Sequence, residues 1–155
     1  MAKKPDKTLA MRVLEGKKVP HQVLTFSPEI HSADGVAETL GLSPQEVYKT
    51  LVVVRPLGKP LLVMVPASQE LDLKRLARAM GEKKLKMATH REAEALTGLQ
   101  VGGISALALL NKGFHMCIMR EAQELSHVVV SAGRRGVDVR LAVEDLMRVT
   151  GAQLV

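Results

Sequence analysis

The sequence predicts an α/β domain built on a mixed β-sheet, and three observations predict it. Two neighbouring aliphatic runs, "KTLVVV" and "LLVMVPA", each read as a strand of a central sheet covered on both faces. Helical and strand patterns interleave along the chain but keep no strict βαβ rhythm, which argues for a mixed sheet over a doubly wound one. A length of 155 residues suits one domain over residues 1–155, and no internal repeat or low-complexity linker divides it.

Taken in order, "MAKKPD" (1–6) reads as a frayed basic lead-in. "TLAMRVLEGKK" places Leu9, Val13 and Leu14 on one helical face and stops at Gly16 and Pro20. "HQVLTF" alternates toward a strand, and "HSADGVAETLGL" reads as a helix with Val36, Ala37 and Leu40 inward and Gly41 as its stop. "SPQE" has the form of a capping box, Ser43 to Glu46, with Pro44 at the first helical position of a short turn. "RPLGKP" links the two central strands. "DLKRLARAMG" is an amphipathic helix capped by Asp72 and ended by Gly81, and "KLKMA" is a weak strand. "THREAEALTG" repeats the capping box with Thr89 and Glu92, and Gly98 ends it. "LQVGGISALALLNKG" is a loop with an apolar tail. "FHMCIM", "HVVVSAG" and "VDVRLA" read as strands, and "VEDLMRVTG" as the closing helix.

Composition narrows the function. The chain is 46% apolar and 25% charged, as a soluble globular protein is, with one Tyr, two Phe and no Trp. So few rings argue against a stacking platform for single-stranded nucleic acid. A net charge of +6 (22 Lys and Arg against 16 Asp and Glu) suits a polyanionic partner, and equally an inert basic surface. The lone Cys117 excludes an internal disulfide, fits a reducing cytoplasm, and sits in an apolar run that suggests a buried thiol. No stretch approaches the ~20 apolar residues of a membrane span, and the N-terminus lacks the apolar core of a secretory signal. The five histidines, at 21, 31, 90, 115 and 127, show no metal-ligand spacing, so neither a metal nor another cofactor is expected.

Three segments carry chemistry. In "VGGIS", Gly102 and Gly103 leave backbone N–H groups uncovered beside Ile104 and the Ser105 hydroxyl; a loop that binds an oxyanion and a plain tight turn are both open readings. It is neither a Walker loop nor a dinucleotide fingerprint. In "SAGRRGVD", Arg134 and Arg135 can grip phosphate between Ser131 and Asp138, or lie solvated on a hairpin. Tyr48 and Lys49 open a strand that is otherwise aliphatic apart from Thr50, so Lys49 either snorkels or holds a cation at the core's edge for use on a developing oxyanion. His31 heads the "HSADG" segment and either lines a cleft or makes a loop contact. No Gly-x-Ser-x-Gly elbow appears, and Cys117 has no evident partner for a triad.

In this order, with "HSADGVAETLGL" upstream, "KTLVVV", "VGGIS" and "SAGRRG" resemble the YbaK/EbsC family of bacterial editing deacylases, which hydrolyse wrongly charged prolyl-tRNA. The resemblance runs from "VPHQVLTF" to "LAVEDLMRVTGA". It implies a single domain with a mixed, barrel-like sheet surrounded by helices, and a cleft for the aminoacylated 3′ end of tRNA. It implies Lys49 as the signature functional residue, Gly102 and Gly103 as backbone donors to the aminoacyl carbonyl, and Ser131, Asp138 and His31 as further site residues. It also implies prolyl-tRNA synthetase as a partner and cysteine as the amino acid removed, the substrate's own thiol attacking its ester to give a cyclic thiolactone. An alanine- or other small-residue specificity and a non-catalytic tRNA- or synthetase-binding module are the alternatives. The chain departs from the family's pattern at Phe26, where relatives carry tyrosine, and at Ala106, where many carry proline; both changes bear on pocket shape. Ala132 and Arg134 stand for glycine and lysine in "SGGKRG".

Overall fold

The computed structural model describes residues 6–155, so the lead-in expected at 1–6 falls outside the described residues except for Asp6. Helix α1 (Leu9–Gly16) starts where the Thr8 hydroxyl accepts from the Met11 N–H, 3.2 Å away. Its buried stripe is Ala10, Met11 and Leu14, one step away from the expected Leu9, Val13 and Leu14. Leu9 is 59% exposed, because it lines a surface cleft while Ala10 and Met11 of the same turn face the core.

Strand β1 (His21–Thr25) leads to α2 (Ala33–Leu40), which buries Val36 and Ala37 and ends at Gly41. The "SPQE" segment is the short turn expected, but its capping box does not form. Ser43 Oγ accepts from Gln45 N–H at 3.2 Å, and the Glu46 N–H goes to the Ser43 carbonyl instead of its side chain. Val47 already bridges to another strand, so no room is left for a helix. Strands β2 (Tyr48–Val54) and β3 (Leu61–Pro66) then pair antiparallel from Tyr48↔Pro66 to Val53↔Leu61. All six β3 residues are buried. Leu62 and Met64 join one apolar cluster, and Leu61, Val63 and Val65 the other, so both faces of this sheet are covered as expected.

Helix α3 (Leu73–Met80) is capped by Asp72 and stops at Gly81; it lays Leu76 and Ala77 on the second of those clusters. After β4 (Lys86–Met87), α4 (His90–Thr97) carries a complete capping box between Thr89 and Glu92. A 3₁₀ turn at Leu107–Leu109 precedes β5 (His115–Ile118), and another at Arg120–Glu124 precedes β6 (His127–Arg134). Strand β7 (Val137–Ala142), α5 (Val143–Thr150) and β8 (Gln153–Leu154) complete the chain. The two-residue β8, which pairs parallel to β5, carries no periodicity that could have announced it.

Two sheets result. One is ordered β4-β2-β3-β5-β8 and is mixed, with β3, β5 and β8 parallel; the other is antiparallel, ordered β1-β7-β6. The larger core lies between them, with Tyr48, Val52, Met64 and Ile118 from one sheet against Val128, Val130, Val139 and Leu141 from the other. They join at one bridge, Val47↔Val129. The expected barrel-like enclosure is therefore present but stays open along β2. Cys117 is buried on the face under α3, where burial pushes its thiol up to about 11 against the pull of Arg55.

Candidate active site

The opening along β2 is where the site forms. On one edge β2 is paired to β3 along its length. On the other, the β6 backbone bridges only to Val47, just ahead of the strand, and β4 pairs only with Val53 and Val54. Between those contacts Tyr48, Lys49, Thr50, Leu51 and Val52 line a cavity of about 300 Å³, whose far wall is α2, α4 and the glycine loop. Side-chain alternation places Tyr48, Thr50 and Val52 on the large-core face and Lys49 and Leu51 on the opposite one, so the cavity wraps the strand's open edge. Lys49 is half-buried, and no carboxylate among the described residues lies within ion-pair distance of it. Tyr48 is no surface marker: it is 3% exposed, and its hydroxyl has no partner among the described residues. Burial, then Glu121 and Glu124, push that hydroxyl up to about 12.

The glycine pair is where three separate segments interlock. A side chain on Gly102 would meet the His31 backbone, with Cα at 3.3 Å, and its φ of +92° favours glycine in any case. A Cβ on Gly103 would sit 3.0–3.1 Å from the backbone of Arg134 and Arg135. The residue before the pair is held on both sides. Val101 donates its N–H to Glu94 Oε2 at 2.8 Å, and its carbonyl accepts from Arg135 Nε at 2.7 Å. This latch was not legible beforehand, because it joins residues 94, 101 and 135 with no shared pattern. Arg135 thus clamps the loop from its side of the "SAGRRG" turn. The Gly103 N–H is already given to the Gln100 carbonyl at 2.7 Å, whereas the Gly102 N–H meets no acceptor among the described residues.

Of the residues singled out from sequence, Lys49, Gly102, Ile104, His31, Ser131 and Asp138 line this one cavity. Ser131 and Asp138 are cross-strand neighbours on β6 and β7, and Ser131 Oγ accepts from the Gly133 N–H at 3.2 Å. Asp138 is 5% exposed and burial raises its carboxyl to about 7, so near neutral pH its protonated and ionised forms are both populated. Four other residues fall elsewhere. The Gly103 donor is spent inside its own turn. Ser105 is buried, and its Oγ accepts from the Ala108 N–H at 3.3 Å, which starts the 3₁₀ turn. Phe26 packs with Val36, Ala37 and Val47 behind the cavity wall, its N–H bonded to the Gly136 carbonyl at 3.0 Å. Arg134 is exposed, donates to the Asp6 carbonyl at 3.0 Å, and lines a second cleft beside Leu9 and Lys112.

Residues 27–149 match the profile of the aminoacyl-tRNA editing domain. The chain belongs to that family. It is 43% identical, over 99% of its length and 95% of the other's, to a protein of Enterococcus faecalis named "Putative Cys-tRNA(Pro)/Cys-tRNA(Cys) deacylase EbsC". Half of the chain is 39% identical to 13% of a proline–tRNA ligase of Thermodesulfovibrio yellowstonii. The fold matches the crystal structure of "a putative trans-editing enzyme for prolyl tRNA synthetase" with a TM-score of 0.81 at 25% identity, covering 97% of both chains. Among the described residues no helix is long and apolar enough to cross a membrane, and no three His, Cys, Asp or Glu cluster as metal ligands.

Proposed function

We propose that this protein is a trans-editing deacylase that cleaves the ester of mischarged prolyl-tRNA, with Cys-tRNA(Pro) as substrate. The observation that carries it is the convergence of Lys49, the unengaged Gly102 N–H and Asp138 on one cavity, in a chain of the editing family. A cavity of about 300 Å³ is at the small end of ligand sites, a size for a small aminoacyl group and not for a run of nucleotides. The relative named as a Cys-tRNA deacylase supports cysteine as that group.

An aminoacyl-tRNA ester is already activated, so the site's task is placement and charge stabilisation. Gly102 N–H faces the carbonyl oxygen as it becomes an oxyanion, and the Lys49 ammonium adds positive charge. A bound α-ammonium favours the ionised form of Asp138, which orients the substrate's amino end. With cysteine, the substrate sulfur attacks its own ester carbon. The carbon–sulfur bond forms, the bond to the ribose oxygen breaks, and the thiol proton ends on that ribose oxygen, leaving a cyclic thiolactone and free tRNA. The net charge of +6 serves phosphate-driven, salt-sensitive binding of the acceptor end. Similarity to part of a proline–tRNA ligase supports prolyl-tRNA synthetase as the partner that supplies tRNA recognition, and the cytoplasm as the place of action.

Deacylation of Cys-, Ala- and Pro-tRNA(Pro) by the purified protein tests this. Fast release of cysteine with proline spared is expected. Release of alanine alone reassigns the specificity, and release from none of the three contradicts the reading in favour of a binding module.

A further inference from the structure

We infer that the backbone N–H of Thr50 is the second oxyanion donor of this site, and that the aminoacyl group binds as a one-residue strand on the open edge of β2. This rests on the deacylase reading above. It starts from a shortfall: the Gly103 N–H is bonded to Gln100, so the glycine pair offers one donor where an oxyanion hole commonly has two.

The hydrogen bonds around β2 show which residue makes up the difference. In an antiparallel ladder the N–H and C=O of one residue point to the same edge, and successive residues alternate. The Val47 carbonyl accepts from Ala67, on the β3 side, at 2.8 Å. The Glu46 carbonyl accepts from Val129 at 2.9 Å and the Val52 carbonyl from Ala88 at 3.0 Å, both on the opposite side. The β2–β3 register is unbroken between them, so Thr50 also turns its N–H and C=O away from β3. It stands midway between the Val47 bridge to β6 and the β4 pairing, where no strand is paired to that edge, and it lines the cavity with Gly102.

A strand edge inside a cavity is costly unless something pairs with it. An aminoacyl group is built to do so, because its α-nitrogen and carbonyl have the spacing of one strand residue. In a hydrogen-bonded antiparallel pair the two residues exchange both N–H···O bonds. Here the acyl carbonyl accepts from Thr50 N–H and the α-ammonium donates to the Thr50 carbonyl. The carbonyl oxygen then has Thr50 and Gly102 as its two donors.

The test is Thr50→Pro, which removes the outward N–H, spares the ladder to β3, and is tolerated at unpaired strand edges. Its kcat on Cys-tRNA(Pro) is expected to fall on the order of a hundredfold, the usual cost of one oxyanion donor, with a smaller change in KM. Thr50→Val keeps the N–H and is expected to lose at least tenfold less than the proline variant. If the proline variant does not fold, an α-hydroxy acid at position 50 replaces the N–H by an ester oxygen, and the same loss is expected. A folded donor-less variant with parental kcat overturns the inference, as does a valine variant as damaged as the proline one. An active parent with an unimpaired Thr50→Pro sinks this assignment alone; a parent inactive on every charged tRNA sinks the deacylase reading as well.

Discussion

The cleft under α1 and the cavity along β2 differ in a way that shows that volume does not locate chemistry. The cleft under α1 holds about 420 Å³, against about 300 Å³ for the cavity along β2. Yet its walls are mostly Leu, Ala, Gly and Thr, with Lys112 and Arg134 at hand. The β2 cavity gathers Lys49, His31, Ser131, Asp138 and a bare glycine amide from separate stretches of the chain. Even the two adjacent arginines divide between the regions. Arg134 lies exposed over the outer cleft, and Arg135 turns inward to hold Val101.

Lys49→Ala is expected to have the largest effect. Loss of its charge is expected to cut kcat/KM for Cys-tRNA(Pro) by about a hundredfold while the melting temperature stays near the parent's; parental turnover would exclude Lys49 from the site. Arg135→Ala comes next. Loosening Val101 misplaces the Gly102 amide, and a fall in kcat on the order of tenfold, with Arg135→Lys no substitute for the planar donor, is expected in single-turnover assays.

Burial at Asp138 predicts a pH effect on stability. Its carboxyl titrates at about 7 in the fold and at 3.8 as a free group, so the folded state holds a proton that the unfolded state has released. The Asp138 contribution to stability is thus full below about pH 4, is lost as pH rises to about 7, and is level beyond. Thermal melts over that range should show the decline, and Asp138→Asn should remove this contribution to it. The smallest effect belongs to the outer cleft. Arg134→Ala is expected to raise KM by only about threefold and to lower the salt slope of tRNA binding by about 1, as loss of one phosphate contact does.

What could be read in advance follows the range of the interactions. Caps and stops are local, so Asp72, Thr89 with Glu92, and the glycines that end α2, α3 and α4 were legible from a few neighbouring residues. The "SPQE" and "THRE" segments show the limit. Both carry the capping pattern, but only the second has a helix to cap, because Val47 is claimed at once by β6. The cavity-lining Lys49, Gly102, Ser131 and Asp138 were identifiable from motif order. Which glycine amide is free, which arginine turns inward, and where β2 stays unpaired depend on partners 30 or more residues away or on a hydrogen bond already spent, and no local pattern reports them.

The most direct test is an amide-resolved NMR titration with an amide-linked 3′-cysteinylamino-adenosine, which cannot be deacylated. Occupancy of the β2 cavity predicts the largest shifts at Thr50, Gly102 and Ser131. Shifts centred on Ala132–Arg134 and Leu109–Lys112, with Thr50 and Gly102 unmoved, would place the acyl end in the outer cleft and contradict the account.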